Sequence, residues 1–319
     1  MNSRYGAGTI YFFVIIATLL MRMAGGLGVY DAVNVDSDVF FTLVVQLLCF
    51  GALPLFGYFI VSKQLQADQI KPLLRDFNFR KCSLRNFGYC LGVTLPILFL
   101  TGVISFAWQN VLALIGYTHS AADPVTPTVG AFIADVVLVA VLPGIFEEVT
   151  HRGLVFAAYR DSGYKVVVVS ALLFALMHQY IPQTGYTFVI GLLLALMTYY
   201  TGSIFPAMFV HFFNNFISVV SNYAELNVVF KFVDDARTWL YTPGTGTIVM
   251  LACAVASVGL LFFFFDRMRT DAVKCGRVPE KFFEKPWRGA IPLYKDVPFI
   301  LTVAVGVVAT IFSFVWGVM

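Results

Sequence analysis

Long apolar segments alternate with short polar ones along almost the whole chain. A helix needs about 20 apolar residues to cross the hydrocarbon core of a bilayer, and nine segments come close to that length. They lie at 9–30, 39–62, 87–116, 129–159, 164–181, 185–201, 203–222, 247–266 and 297–318. The pattern therefore predicts an all-α fold, a polytopic transmembrane helical bundle of about eight or nine spans. We expect residues 1–319 to form a single integral membrane domain.

Composition narrows the class of protein further. Hydrophobic residues make up 59% of the chain and charged residues only 12%, against about 45–50% and about 25% in soluble domains. A soluble enzyme is therefore excluded. The net charge of +3 is too small to indicate a nucleic-acid partner, so the lipid bilayer is the expected surrounding. The five cysteines show no CxxC spacing, and they indicate neither a disulfide framework nor a zinc site.

Basic residues predict how the bundle is oriented. In the nine-span arrangement, most of the 21 Lys and Arg residues fall on one side, chiefly in the loops 63–86 and 267–296. Loops rich in Lys and Arg stay in the cytoplasm. We therefore expect a cytoplasmic N-terminus and an external C-terminus.

Ionisable and polar residues interrupt three of the predicted spans. A charged side chain at the centre of a bilayer costs at least about 2.5–3.5 kcal/mol, so each one needs a physical reason. The interruptions lie in the fourth, fifth and seventh spans. They are Glu147, Glu148, His151 and Arg152, then His178, then His211 and Asn215.

Helical spacing predicts which of these groups meet. Glu148 and Arg152 are four residues apart with the acid first, the favourable order for an ion pair. Glu147 is rotated by about 100° from Glu148 and lacks that partner, which makes it a candidate base. His211 and Asn215 are also four residues apart and can point at one spot.

The same groups also share a depth in the bilayer. Counted from the loop ends at 1.5 Å per residue, Glu147, His178, His211 and Asn215 lie roughly 12–21 Å above one face. A water between Glu147 and His178 could lose a proton and attack a carbonyl carbon. His211 and Asn215 could donate hydrogen bonds to the oxyanion that forms. This set of residues is suited to hydrolysis of a peptide bond.

The three interruptions also form ordered motifs that resemble those of a known family. They are Glu147-Glu148-x-x-x-Arg152, Phe174-x-x-x-His178 and His211-x-x-x-Asn215. In this order on successive spans they resemble the motifs of the CAAX protease and bacteriocin-processing family (CPBP, or Abi) of intramembrane endopeptidases. The resemblance covers about 129–222, the expected catalytic core, and it implies a substrate that is a peptide or a membrane protein.

The resemblance also implies roles for the matching residues. Glu147, helped by His178, would activate water, and His211 and Asn215 would form the oxyanion hole. Glu148 and Arg152 would support the site. The resemblance implies a glutamate-dependent enzyme with no obligatory cofactor. If a divalent metal were bound, Glu147, His178 and His211 would hold it.

His151 departs from the family pattern, which more often has an apolar or aromatic residue at this position. It lies four residues after Glu147 and therefore on the same helix face. Three interpretations remain open for it. It could tune Glu147, add a metal ligand, or only pack and donate one hydrogen bond.

The predicted orientation bears on the substrate and on rival functions. It places the site nearer the external face, so farnesylated CAAX proteins, which are processed from the cytoplasm, are poor candidate substrates. Peptide maturation, bacteriocin self-immunity or surface-protein handling in a bacterial plasma membrane fits better. A catalytically silent scaffold or immunity factor is the main alternative. A proton-coupled transporter is less favoured, because the chain shows no internal repeat of spans.

Overall fold

The computed structural model describes residues 3–29, 37–62, 70–118, 127–281 and 292–318, and within these ranges the chain forms helices and no strand. The protein is a polytopic helical bundle, as predicted. Its helices are α1 (Ser3–Gly26), α2 (37–62), α3 (Ile70–Asp76), α4 (Leu84–Leu114), α5 (Val129–Tyr159), α6 (Lys165–Met177), α7 (Ile181–Thr201), α8 (Phe205–Asn222), α9 (Val228–Tyr241), α10 (Thr245–Lys274) and α11 (Val297–Val318).

Seven helices within the described ranges are long and apolar enough to cross a membrane: α1, α2, α4, α5, α7, α10 and α11. They confirm seven of the nine predicted spans. The predicted span 164–181 is instead the 13-residue helix α6, because Gln179 turns into the left-handed region at φ 49° before α7 begins at Ile181. The predicted span 203–222 is the 18-residue helix α8. His211 and the asparagines of this helix make it more polar than the seven helices above.

Contacts between loops show that the helices run between two ends of the bundle. At one end the Arg85 guanidinium lies 2.7 Å from the Asp271 carboxylate, and the Ile204 amide donates to the Asn78 carbonyl at 2.9 Å. We call this the basic end, after the described basic residues there: Arg75, Arg80, Lys81, Arg85, Arg160, Lys165, Lys274 and Arg277.

The opposite end is tied together by different contacts. There the Thr118 amide donates to the Gly317 carbonyl at 2.7 Å, and the Trp108 indole donates to the Ile181 carbonyl at 2.8 Å. The amphipathic helix α9 also lies at this end. The short helix α6 therefore begins at the basic end, and α7 begins at the opposite end with Ile181.

The core is built around the central helix α7. One side of α7 packs with α4, α8 and α10 through residues such as Ile97, Leu194 and Met268. The other side faces α1, α5 and α6, where Tyr11 and Leu154 are buried. Large apolar side chains on α10 and α11 are exposed on the outside of the bundle, as expected for helices in contact with lipid.

Three stretches of π-helix interrupt the helices around the candidate site. They are Val45–Ala52 in α2, and Val136–Val141 and Val149–Val155 in α5. A π-helical turn holds an extra residue, and such turns are frequent at functional sites because they leave backbone groups for other partners. In all three stretches, side chains from elsewhere in the protein donate hydrogen bonds to backbone carbonyl groups. These carbonyl groups belong to Phe50, Val139, His151 and Arg152.

Candidate functional site

A fully buried ion pair lies at the centre of the bundle. An Arg152 Nη1 hydrogen bonds to Glu148 Oε1 at 2.7 Å, and neither side chain is exposed. The guanidinium also donates to the Gly191 carbonyl of α7 at 2.9 Å and lies 4.8 Å from the centroid of the Phe174 ring. The predicted pairing of Glu148 with Arg152 is confirmed, and the pair joins α5 to α6 and α7.

His211 of α8 faces both carboxylates of α5. Its Nδ1 lies 2.8 Å from Glu148 Oε1, and its Nε2 lies 3.9 Å from Glu147 Oε2. Because a carboxylate only accepts hydrogen bonds, Nδ1 carries a proton toward Glu148. When the ring is protonated, Nε2 is a donor as well. Glu148 thus holds His211 with its second nitrogen turned toward Glu147.

Glu147 is buried but has a partner that the sequence did not predict. Its Oε1 accepts a hydrogen bond from Gln46 Nε2 of α2 at 2.9 Å, and its Oε2 faces His211. Gln46 could have been found as a single amide within the apolar run 44–48. A polar side chain at that depth is itself a sign of function.

His178 lies at the end of α6 and is half-buried. Its Nδ1 donates to the Phe174 carbonyl at 2.8 Å, which leaves Nε2 as an acceptor in the neutral ring. The Phe174 ring separates the two predicted catalytic histidines, at 5.1 Å from His178 and 5.6 Å from His211 between ring centroids. Arg22 donates to the His178 carbonyl at 3.1 Å, a contact that the sequence did not predict.

Asn215 lies one turn after His211 on α8. Its amide donates to the Val139 carbonyl at 3.0 Å, within a π-helical stretch of α5, and its oxygen accepts from Asn214 at 3.3 Å. An asparagine amide has two N–H donors, so one remains for a ligand. The side chain is therefore held in place while keeping a donor.

His151 is completely buried, and both of its ring nitrogens are engaged. Its Nδ1 donates to the Glu147 carbonyl at 2.6 Å. Its Nε2 lies 2.8 Å from the Tyr11 hydroxyl of α1, which is also 3.0 Å from the Leu173 carbonyl. Of the three interpretations, this geometry favours packing with hydrogen bonding, and it leaves no nitrogen of His151 for a metal. Tyr11 is a third contact missed from the sequence.

Across the described ranges, no group of three or more His, Cys, Asp or Glu side chains is arranged to hold a metal ion. Those ranges include the residues expected to hold a metal if one were bound, which are Glu147, His178 and His211. Glu147 accepts from Gln46, His211 contacts Glu148, and His178 bonds to the Phe174 carbonyl.

A cavity of about 1140 Å³ adjoins the site between α4, α8, α9 and α10. Asn215 and Tyr186 of α7 line it, so it reaches the site residues at Asn215. Most other lining residues are apolar, and Arg237 of α9 also lines it. The cavity exceeds the roughly 300–1,000 Å³ of typical small-molecule pockets. It has room for an extended peptide segment.

Buried carboxylates and histidines inside a helical membrane bundle mark a functional site. Residues 129–217 match the family model described as "Rce1-like: Type II CAAX prenyl endopeptidase Rce1-like". The chain thus carries a domain of the CAAX protease (CPBP) family in this segment, as the resemblance implied. No curated protein and no solved structure matches the chain.

The family match contains all seven of the predicted site residues, from Glu147 to Asn215. Tyr11, Arg22 and Gln46 lie outside it, yet each contacts a residue of one of the motifs. Helices α1 and α2 are therefore structural parts of the same site.

Proposed function

We propose that the chain is an intramembrane endopeptidase that hydrolyses a peptide bond of a membrane-associated protein or peptide. The observation that carries this proposal is the arrangement of Glu147, whose Oε2 lies 3.9 Å from His211 Nε2 beside the buried Glu148–Arg152 pair. The family match over 129–217 supports the same class of reaction.

In the proposed reaction, Glu147 takes a proton from a water held between its Oε2 and His178 Nε2. The water oxygen forms a bond to the substrate carbonyl carbon, and the electron pair of the C=O bond moves onto its oxygen. Asn215 and the protonated Nε2 of His211 donate hydrogen bonds to that oxyanion. Glu147 then gives the proton to the leaving amide nitrogen as the C–N bond breaks.

Glu148 and Arg152 have a supporting role in this mechanism. The Glu148 carboxylate accepts from His211 Nδ1 and so holds the ring with Nε2 turned toward the reacting groups. Arg152 compensates the buried charge of Glu148 and fixes it against α7. His151 and Tyr11 hold the π-helical turn that follows Glu147.

We also propose that the reaction needs no metal, because the chain itself supplies the groups that hold water and the oxyanion. A chelator such as EDTA is then expected to leave the cleavage rate of the purified protein unchanged. Loss of activity on chelation, restored by one divalent cation, would contradict this part of the proposal.

We propose that the substrate enters through the cavity and that the basic end faces the cytoplasm. The cavity, lined by Tyr241 and Pro243, then lies toward the external side. Prenylated cytoplasmic proteins are poor substrates for that orientation. A peptide or surface protein of a bacterial plasma membrane fits better, with its cleaved segment in the apolar cavity.

The orientation has a direct test by labelling single cysteines in a variant that lacks the five native ones. A membrane-impermeant thiol reagent outside intact cells should label Glu225→Cys, beside α9, and should not label Arg80→Cys until the membrane is opened. Both positions are exposed. The reverse pattern would show that the cavity faces the cytoplasm, and prenylated substrates would then be favoured.

The activity is tested with the variant Glu147→Gln, which keeps the size of the side chain and removes the base. Membrane peptides from cells with the native chain or this variant are compared by mass spectrometry at matched expression. Glu225→Gln, an exposed change, is the control. New termini with the native chain and the control, and none with Glu147→Gln, are expected. Identical peptides from all three would favour a catalytically silent scaffold.

A further inference from the structure

Gln46 is a buried amide with one half of its hydrogen-bonding capacity unused. Its side chain is 6% exposed, and its Nε2 donates to Glu147 Oε1 at 2.9 Å. Its Oε1 is inaccessible and has no hydrogen-bond partner within the described ranges. A buried polar atom left in this state costs about 1–3 kcal/mol. An apolar residue would avoid that cost, so the presence of an amide here requires an explanation.

The local backbone keeps Gln46 in this position. It lies in the π-helical stretch Val45–Ala52, whose Phe50 carbonyl accepts from the Thr150 hydroxyl of α5 at 2.9 Å. Gly51 brings this stretch close to α5, since a Cβ there would lie 3.0 Å from the Phe146 ring. Three contacts along one short stretch thus fix α2 against the helix that carries Glu147.

We propose that Gln46 is a positioning residue for the base Glu147. Its N–H holds Glu147 Oε1, so Oε2, the oxygen that faces His211, is the one that takes the proton. A base held in one orientation starts from the productive geometry. The attacking water stays between Glu147 Oε2 and His178 Nε2, as in the proposed reaction.

This inference rests on the proposed hydrolysis and extends it beyond the family match. Gln46 lies 83 residues before the start of that match, on a helix that the motifs do not include. The expected catalytic core, 129–222, therefore lacks a group that the reaction uses. Helix α2 supplies it.

The test uses the full chain, purified and reconstituted in lipid vesicles, with a peptide that spans the cleavage site found by mass spectrometry. Gln46→Met keeps the length of the side chain and removes the hydrogen bond to Glu147. Because misplacement of reacting groups by about 1 Å can cost a hundredfold in rate, kcat is expected to fall by about that factor, with KM little changed. Cys49→Ala, a buried change three residues along the same stretch, should retain the native kcat.

A second readout separates this role from simple support of the fold. The rates are divided by the folded fraction, and the pH–rate profile is recorded for each variant. The acid limb of the profile should move in Gln46→Met and stay in place in Cys49→Ala. Of these two residues, only Gln46 donates a hydrogen bond to the Glu147 carboxylate. If Gln46→Met does not fold, Gln46→Asn decides, since it keeps the amide but shortens its reach and should also lower kcat.

The outcomes distinguish the two proposals. A native kcat per folded molecule in Gln46→Met, or in Gln46→Asn if only that variant folds, would overturn the role of Gln46. Loss of cleavage in Glu147→Gln would at the same time leave the proposed function intact. Absence of any cleavage by the native chain would instead overturn the proposed function.

Discussion

Replacement of Arg152 should cause a large loss of stability. Its guanidinium and the Glu148 carboxylate are both fully buried and 2.7 Å apart. Arg152→Met keeps an apolar side chain of similar length and leaves the carboxylate without its charge partner. Breaking such a buried pair costs about 3–5 kcal/mol. Since each 1.4 kcal/mol is about a factor of ten, the ratio of folded to unfolded protein should fall by more than about a hundredfold.

The assay is unfolding by denaturant in lipid–detergent bicelles, followed by circular dichroism. The matched control is Lys231→Met on α9, because Lys231 and Asp235 have the same four-residue spacing at 3.4 Å but are 67% and 63% exposed. An exposed pair of this kind contributes about 0–1 kcal/mol. Adding Glu148→Gln to Arg152→Met should recover part of the loss. Equal losses in Arg152→Met and Lys231→Met would refute the reasoning.

The remaining predictions use the same unfolding assay. Tyr11→Phe removes the hydroxyl beside His151 Nε2 and should lower the free energy of unfolding by about 1–3 kcal/mol; an unchanged value would show that this contact is dispensable. Gly191→Ala should destabilise the protein because its Cβ would lie 3.2 Å from the Ala171 backbone of α6. Gly88→Ala, whose Cβ meets nothing within 4 Å, should stabilise its helix by about 0.5–1 kcal/mol. Equal effects at the two glycines would contradict the close approach of α6 and α7.

Features set within a single helix could be predicted from the sequence. The contact of Glu148 with Arg152 follows from the helical repeat alone, and the structure shows it. Seven of the nine predicted spans are correct for the same reason, since hydrophobicity and length are local properties. The order of the motifs was enough to predict the family domain over about 129–222, and the family model matches 129–217.

Features that depend on packing between helices could not be predicted. Gln46 meets Glu147 across 101 positions of sequence, and Tyr11 meets His151 across 140, so no periodicity connects them. The shortness of α6 depends on the backbone of Gln179, whose left-handed conformation is uncommon outside glycine. The π-helical turns also shift side chains relative to a regular helix, and the sequence carries no clear sign of them.

The central claim is that Glu147 activates a water that attacks the substrate directly. A single turnover in water enriched in the heavy oxygen isotope tests it, with excess purified enzyme over the cleaved peptide. The new carboxyl terminus is expected to contain one heavy oxygen in this first turnover, and Glu147→Gln is expected to give no product. A first-turnover product without the heavy isotope would show that an enzyme carboxylate attacks the carbonyl, and it would contradict the account.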